Sequence, residues 1–210
     1  RCFVAILVAL ALAESSRVWL AAQSILQALD GTTPITYFIA DGTPQTRFKP
    51  SDRQLADWAF KAWERSSGGR FTIQPSPEAT ARVRLYWAAA SDGQYGEMRP
   101  LLVDGRRGAA VFIRPDTDGL GPDIGGRAAS DPLLRDAIVY LTCVHELGHA
   151  FGLSHTDDFK DIMYSFVFGG DIVEYFGRYR RQLRTRADIA AVSGLSASDT
   201  TRLLSLYPPR

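Results

Sequence analysis

The chain has 210 residues, 46% of them hydrophobic and 22% charged, and 24 basic side chains against 23 acidic ones leave a formal net charge of +1. That length buries one sizeable core and not two. So even a charge balance argues against a polyphosphate-binding role, and equally against an acidic disordered chain.

Arg1 precedes an apolar run, Cys2 to Ala13, that closes on Ala11-Leu12-Ala13. This reads as the remnant of a secretory signal peptide, since about a dozen apolar residues fall short of the roughly 20 that span a membrane. Cleavage after Ala13 would remove one arginine and no acid, and leave Cys143 as the sole thiol. The expectation is a secreted protein, extracellular or periplasmic, with no stable membrane insertion once residues 1–13 are gone, and with no disulfide framework. Residues 14–33 form a short pro-segment or an N-terminal helix; apolar residues at Val18, Ala21, Ala22, Ile25, Leu26 and Leu29 keep helical spacing up to Asp30-Gly31.

Residues 34–210 read as one domain. Ile35 to Ile39 is β-branched and aromatic, hence a strand. Ser51-Asp52 caps a helix to about Ser66, with Leu55, Ala56, Ala59, Phe60, Ala62 and Trp63 on its core face and Gly68-Gly69 stopping it. Strands follow at Arg70 to Gln74 and Ala81 to Ala88. Gly96 to Val103 is a further strand, and Pro100, which has no N–H, puts it at a sheet edge, where an extended peptide can add. Ala109 to Ile113 is another strand, and Pro115 to Asp131 a Gly/Asp/Pro-rich loop. Leu133 to Phe151 is helical, capped by Ser130 or Asp131. Ser198-Asp199 starts a last helix, Thr200 to Tyr207.

All three histidines fall within eleven residues, His145 to His155, in the string His-Glu-Leu-Gly-His-Ala-Phe-Gly-Leu-Ser-His. His145 and His149, four apart on a helix, stack about 6 Å apart along its axis on one face. Gly152 permits the left-handed turn that ends the helix and returns His155 to the same point. Three neutral imidazoles leave one position of a tetrahedral zinc open to water, the arrangement of a catalytic ion. Glu146, beside the first ligand, is placed to reach that water instead of the metal.

This string resembles the HExxHxxGxxH signature of metzincin metalloproteases, and Asp161-Ile162-Met163-Tyr164 is similar to their Met-turn. The resemblance is closest to matrixins, by the spacing of Met163 from His155 and by the order of elements over residues 34–208. It implies an α+β fold: a twisted, mostly parallel sheet with an antiparallel edge strand, a backing helix, a zinc-site helix and a C-terminal helix. It implies a monomeric zinc endopeptidase with one catalytic Zn²⁺, Glu146 as general base and Met163 as an apolar floor under the ligands. The substrate is a peptide or protein laid along the edge strand, not a nucleic acid. Tyr164, Phe166 and Phe168, at the head of the insertion 165–190, should line the pocket for the side chain that follows the cut bond. Two other readings stand beside it: a catalytically silent zinc-bearing module that grips peptides, which has no need of a base at Glu146, and a different zinc hydrolase on the same site.

Three weaker signals have simpler explanations. Asp116-Thr117-Asp118-Gly119 could offer oxygens to the Ca²⁺ that animal matrixins often bind, but suits a plain turn. Cys143 reads as a small buried helix residue before it reads as a regulatory thiol. Arg178, Arg180, Arg181, Arg184 and Arg186 could meet acidic substrate, yet read first as a solvated helix face.

Overall fold

The computed structural model describes residues 27–92 and 95–209. Residues 1–13, and most of the helical spacing before Leu29, lie outside the described residues. Five strands form one sheet in the order β2 (Ile73–Pro75), β1 (Ile35–Ile39), β3 (Val83–Trp87), β5 (Arg106–Ile113) and β4 (Gly96–Val103). All neighbours are parallel except β4 and β5, so the sheet is mostly parallel with an antiparallel strand at one edge, as expected. Asp104 and Gly105 join β4 to β5 with φ of 50° and 71°. Two successive left-handed residues are what a two-residue hairpin needs to match strand twist.

The helices are α1 (Asp52–Ser66), α2 (Pro122–Ser130), α3 (Pro132–Ala150), α4 (Ile172–Arg180) and α5 (Ala197–Leu206). Leu55, Phe60 and Trp63 of α1 and Ile138, Val144 and Leu147 of α3 are buried in one core with Val83, Leu85, Val111 and Ile113 of the sheet. Two polar ties set the pitch of α3 against α1. The Trp63 indole donates to the Val144 carbonyl at 2.9 Å, one residue before His145. The Arg135 guanidinium grips the buried Asp52 carboxylate through both nitrogens, one contact at 2.7 Å.

Several boundaries depart from the sequence reading for local reasons. The stretch Pro115 to Asp131 is not all loop: α2 forms within it, with Pro122 in its first turn and Ile124, Gly125 and Ala128 buried. Two glycines and few apolar residues hid a helix whose start Pro122 favours. β2 begins at Ile73, because Gly68 and Gly69, both at positive φ, are still turning the chain before it. β5 begins at Arg106, because the tight hairpin extends its pairing to Val103. Asp131 caps α3, accepting the Leu133 and Leu134 N–H groups, whereas Ser51 makes no side-chain cap on α1. The last helix starts at Ala197, since Ser196 is its N-cap and Asp199 closes a reciprocal capping box three residues in. Among the described residues no helix is long and apolar enough to cross a membrane.

Candidate active site

The C-terminal half of α3 carries His145 and His149. The Nδ1 of His145 lies 2.6 Å from the Ile162 carbonyl, and that of His149 lies 2.8 Å from the Leu153 carbonyl. A carbonyl only accepts, so both Nδ1 atoms carry the proton and both Nε2 atoms keep a free lone pair. The helix ends at Gly152, φ 102°, where the Leu153 N–H reaches back to the Gly148 carbonyl. The returning chain sets the Nε2 of His155 3.2 Å from that of His145 and 3.1 Å from that of His149. Two nitrogens bound about 2.0–2.1 Å from one tetrahedral zinc ion stand about 3.3–3.4 Å apart, so this donor set fits a single such ion. Burial, the leading cause, pulls the His145 and His149 imidazoles down to about 4 and about 3, with neighbouring imidazoles adding to it; His155 is lowered by burial and then by Arg202. All three are neutral at pH 7, the form a metal needs.

Glu146 turns the other way, toward β4. It is 7% exposed, and burial, with a smaller repulsion from Glu97, pushes its carboxyl up to about 8. Its carboxylate lies against Gly96: a Cβ there would come within 2.5 Å of Oε1 and 2.8 Å of Cγ. Beside it opens a cavity of about 190 Å³ whose lining includes Tyr95, Gly96, Leu120, Leu141, His145, Glu146, Tyr164, Phe166, Tyr175 and Phe176. Tyr164 and Phe166 are thus in its wall. Phe168 is not among the lining residues and is 60% exposed.

Met163 is fully buried, and its sulfur takes up the space that Gly148 leaves open; a Cβ on Gly148 would lie 2.3 Å from Sδ. The turn around Met163 is held from three sides. Asp199 of α5 accepts the Ile162 N–H at 2.8 Å, the Tyr175 hydroxyl of α4 donates to the Ile162 carbonyl at 3.1 Å, and the Thr156 N–H donates to the Met163 carbonyl at 2.9 Å. Gly96, Gly148, Tyr175 and Asp199 were not singled out by the sequence as site residues. Only Asp199 carried a local signal, in the Ser-x-x-Asp pattern of a helix cap.

Elsewhere the weaker signals resolve. Asp116 is buried between Arg114 and Arg47, each at 3.1 Å, and Asp118 meets Arg47 at 2.5 Å. Guanidinium groups already face both carboxylates, so this loop does not fit Ca²⁺. Cys143 is fully buried. Within the arginine run Arg178, Arg180 and Arg186 are neither a solvated face nor free for substrate, while Arg181 and Arg184 are exposed, as a solvated face would be. Arg178 donates to the Phe159 and Lys160 carbonyls and stacks 4.4 Å over Tyr175; Arg180 pairs with Asp131 and Arg186 with Asp136, each at 2.8 Å. These three arginines fasten the insertion to the body, and Arg181 pairs with Glu174.

A family model described as matrixin matches residues 30–174. Among curated proteins, the chain is similar to interstitial collagenase of Sus scrofa, 31% identical over 147 residues that cover 67% of this chain and 29% of that protein. It is similar to macrophage metalloelastase of Oryctolagus cuniculus, 30% identical over 136 residues, 62% of this chain and 27% of that protein. It is 28% identical over 141 residues to Metalloendoproteinase 1 of Glycine max, covering 64% of this chain and 43% of that protein. The matched region thus spans less than a third of the collagenase and of the metalloelastase.

Proposed function

The chain belongs to the matrixin family of metalloendopeptidases, and from that membership we propose that it hydrolyses peptide bonds with one zinc ion held by His145, His149 and His155 and with Glu146 as general base. The observation that carries this reading is the meeting of three Nε2 atoms beside a carboxylate that borders an open cavity.

When bound, zinc supplies a Lewis acid for the peptide carbonyl and lowers the pKa of water toward about 7. The chain's own groups do the rest. Backbone carbonyls of Ile162 and Leu153 fix the tautomer and aim of two imidazoles. Glu146, whose carboxyl a cation held by the imidazoles would draw back into its charged form, takes the proton of the attacking water and returns it to the departing amine nitrogen. The free edge of β4 receives the substrate backbone by strand addition, and the cavity walled by Tyr164 and Phe166 receives the side chain after the cut bond. Met163 is an apolar support and not a ligand. Residues 34–210 are assigned as the catalytic domain, acting as a monomer, and residues 1–13 as an export signal that places it outside the cytoplasm.

Glu146→Gln keeps size and hydrogen bonding but removes the base. Cleavage of an unfolded protein should fall about 10²–10⁴-fold, while zinc content measured by metal analysis stays at the wild-type level. If metal-loaded wild type cuts no unfolded protein yet binds extended peptides, the silent peptide-binding module is the correct reading.

A further inference from the structure

Among the described residues β4 has one unpaired edge, and the register tells which of its residues face it. Pro100 stands opposite Ala109, whose N–H goes the other way, to the Arg82 carbonyl at 2.8 Å; Gly96 stands opposite Ile113, whose carbonyl accepts from the Ala88 N–H at 2.7 Å. Directly opposed residues in an antiparallel pair either exchange hydrogen bonds or both turn outward. Ala109 and Ile113 spend their groups on the β3 side, so Gly96, Met98, Pro100 and Leu102 present theirs to the open edge. The bond from the Arg114 N–H to the Tyr95 carbonyl, 3.0 Å, fixes the same phase from the intervening set. An antiparallel peptide can therefore exchange two bonds with each of Gly96, Met98 and Leu102. At Pro100 the donor is missing from the side where a peptide would need it.

The cut site lies at the other end of this row, because Gly96 touches Glu146. A peptide running opposite to β4 comes in from the Val103 end and reaches Glu146 last, so the residues before the cut bond lie along Met98 to Leu102. Resting on the endopeptidase reading above, we propose that Pro100 is a specificity-determining residue that breaks the backbone ladder at one rung. Substrate is gripped in full at Gly96 and Met98, and the residue opposite Pro100 adds less than its neighbours, because only the Pro100 carbonyl is left to bond it.

The test is a nested series of peptides lengthened one residue at a time on the N-terminal side of a cleaved bond. It is run on zinc-loaded wild type and Pro100→Ala for kcat/KM, and on the same two proteins carrying Glu146→Gln for binding by fluorescence anisotropy. Affinity in the Pro100 form should rise least at the step that brings a peptide residue opposite Pro100. In Pro100→Ala that step should add about 2- to 12-fold more, the worth of one hydrogen bond, with a melting temperature lowered only slightly, because no bond to β5 is altered and the loss of proline acts through the unfolded chain. Parallel gains in both proteins at every length overturn the proposal. So does a Pro100→Ala protein that self-associates without gaining peptide affinity, which would make Pro100 a guard against edge-to-edge pairing. If neither protein cuts any peptide, the endopeptidase reading fails, while the anisotropy series still decides the role of Pro100.

Discussion

Asp199 accepts the Ile162 backbone N–H at 2.8 Å, and the carbonyl of that same Ile162 receives the Nδ1–H of His145 at 2.6 Å. The capping-box carboxylate of the last helix is thus linked through a single residue to an imidazole of the histidine cluster. Asp199→Asn can turn its amide NH₂ toward the Ile162 N–H, setting donor against donor, and should lower the melting temperature. It should also weaken zinc binding about tenfold, the low end for groups that orient a ligand, read by competition with a chromogenic chelator. A lowered melting temperature with unchanged zinc affinity would make Asp199 a helix cap and nothing more.

Gly96→Ala puts a methyl group where the Glu146 carboxylate lies, 2.5 Å from Oε1. Displacing a catalytic group by about 1 Å can cost on the order of 10²-fold, and kcat/KM should fall by that order while zinc content holds. Full activity in Gly96→Ala would show that the carboxylate does its work from elsewhere.

The Asp52–Arg135 pair is buried at both ends, with side chains 0% and 7% exposed. Removing one partner leaves the other charge unpaired, at a cost of about 3–5 kcal/mol. Arg135→Met should show that loss in urea unfolding, and Asp52→Leu combined with Arg135→Met should recover part of it. A double variant no more stable than the single one would mean that packing, and not charge, dominates here.

The Asp116 loop gives a pH signature. Burial raises the Asp116 carboxyl, but the Asp118 N–H, Arg114 and Arg47 outweigh it and hold it below the ordinary carboxylate value. A lowered folded pKa means stability that is present above the unfolded value and lost as pH falls through the folded one. The melting temperature of Asp116→Asn should therefore lie below that of wild type at neutral pH, and the gap should close as pH drops from about 5 to about 2. Because Arg47 and Arg114 supply the positive charge, a calcium-selective chelator should leave melting of the wild type unmoved. Sensitivity to it would put a calcium ion where the arginines are.

What the sequence made legible was local. The histidine spacing, the Gly152 turn, the Pro100 edge and the two long helices each depend on residues within a few positions of one another, so periodicity and residue type suffice. Gly96 and Glu146 are fifty residues apart, Ile162 and Asp199 thirty-seven; each pair is joined only by the way the sheet and helices stack, and nothing in the local string reports it. Arg178, Arg180 and Arg186 misled for the same reason, since their partners Asp131, Asp136 and Phe159 come from other segments. In α2 the failure was different: a short helix with buried alanine and glycine has too little apolar surface to show a period.

The tight turn at Asp104-Gly105 also bears on the timing of folding. β4 and β5 are neighbours in sequence, and a hairpin of this kind closes in about 1–10 μs. The contacts that square up α3, such as the Trp63 indole on the Val144 carbonyl, must close 81 residues, and distant contacts form slowly because the chain entropy is lost before they repay it. The β4 edge is therefore assembled ahead of the three imidazoles, and under the function proposed above the chain would acquire its grip on other chains before it acquires the means to cut them.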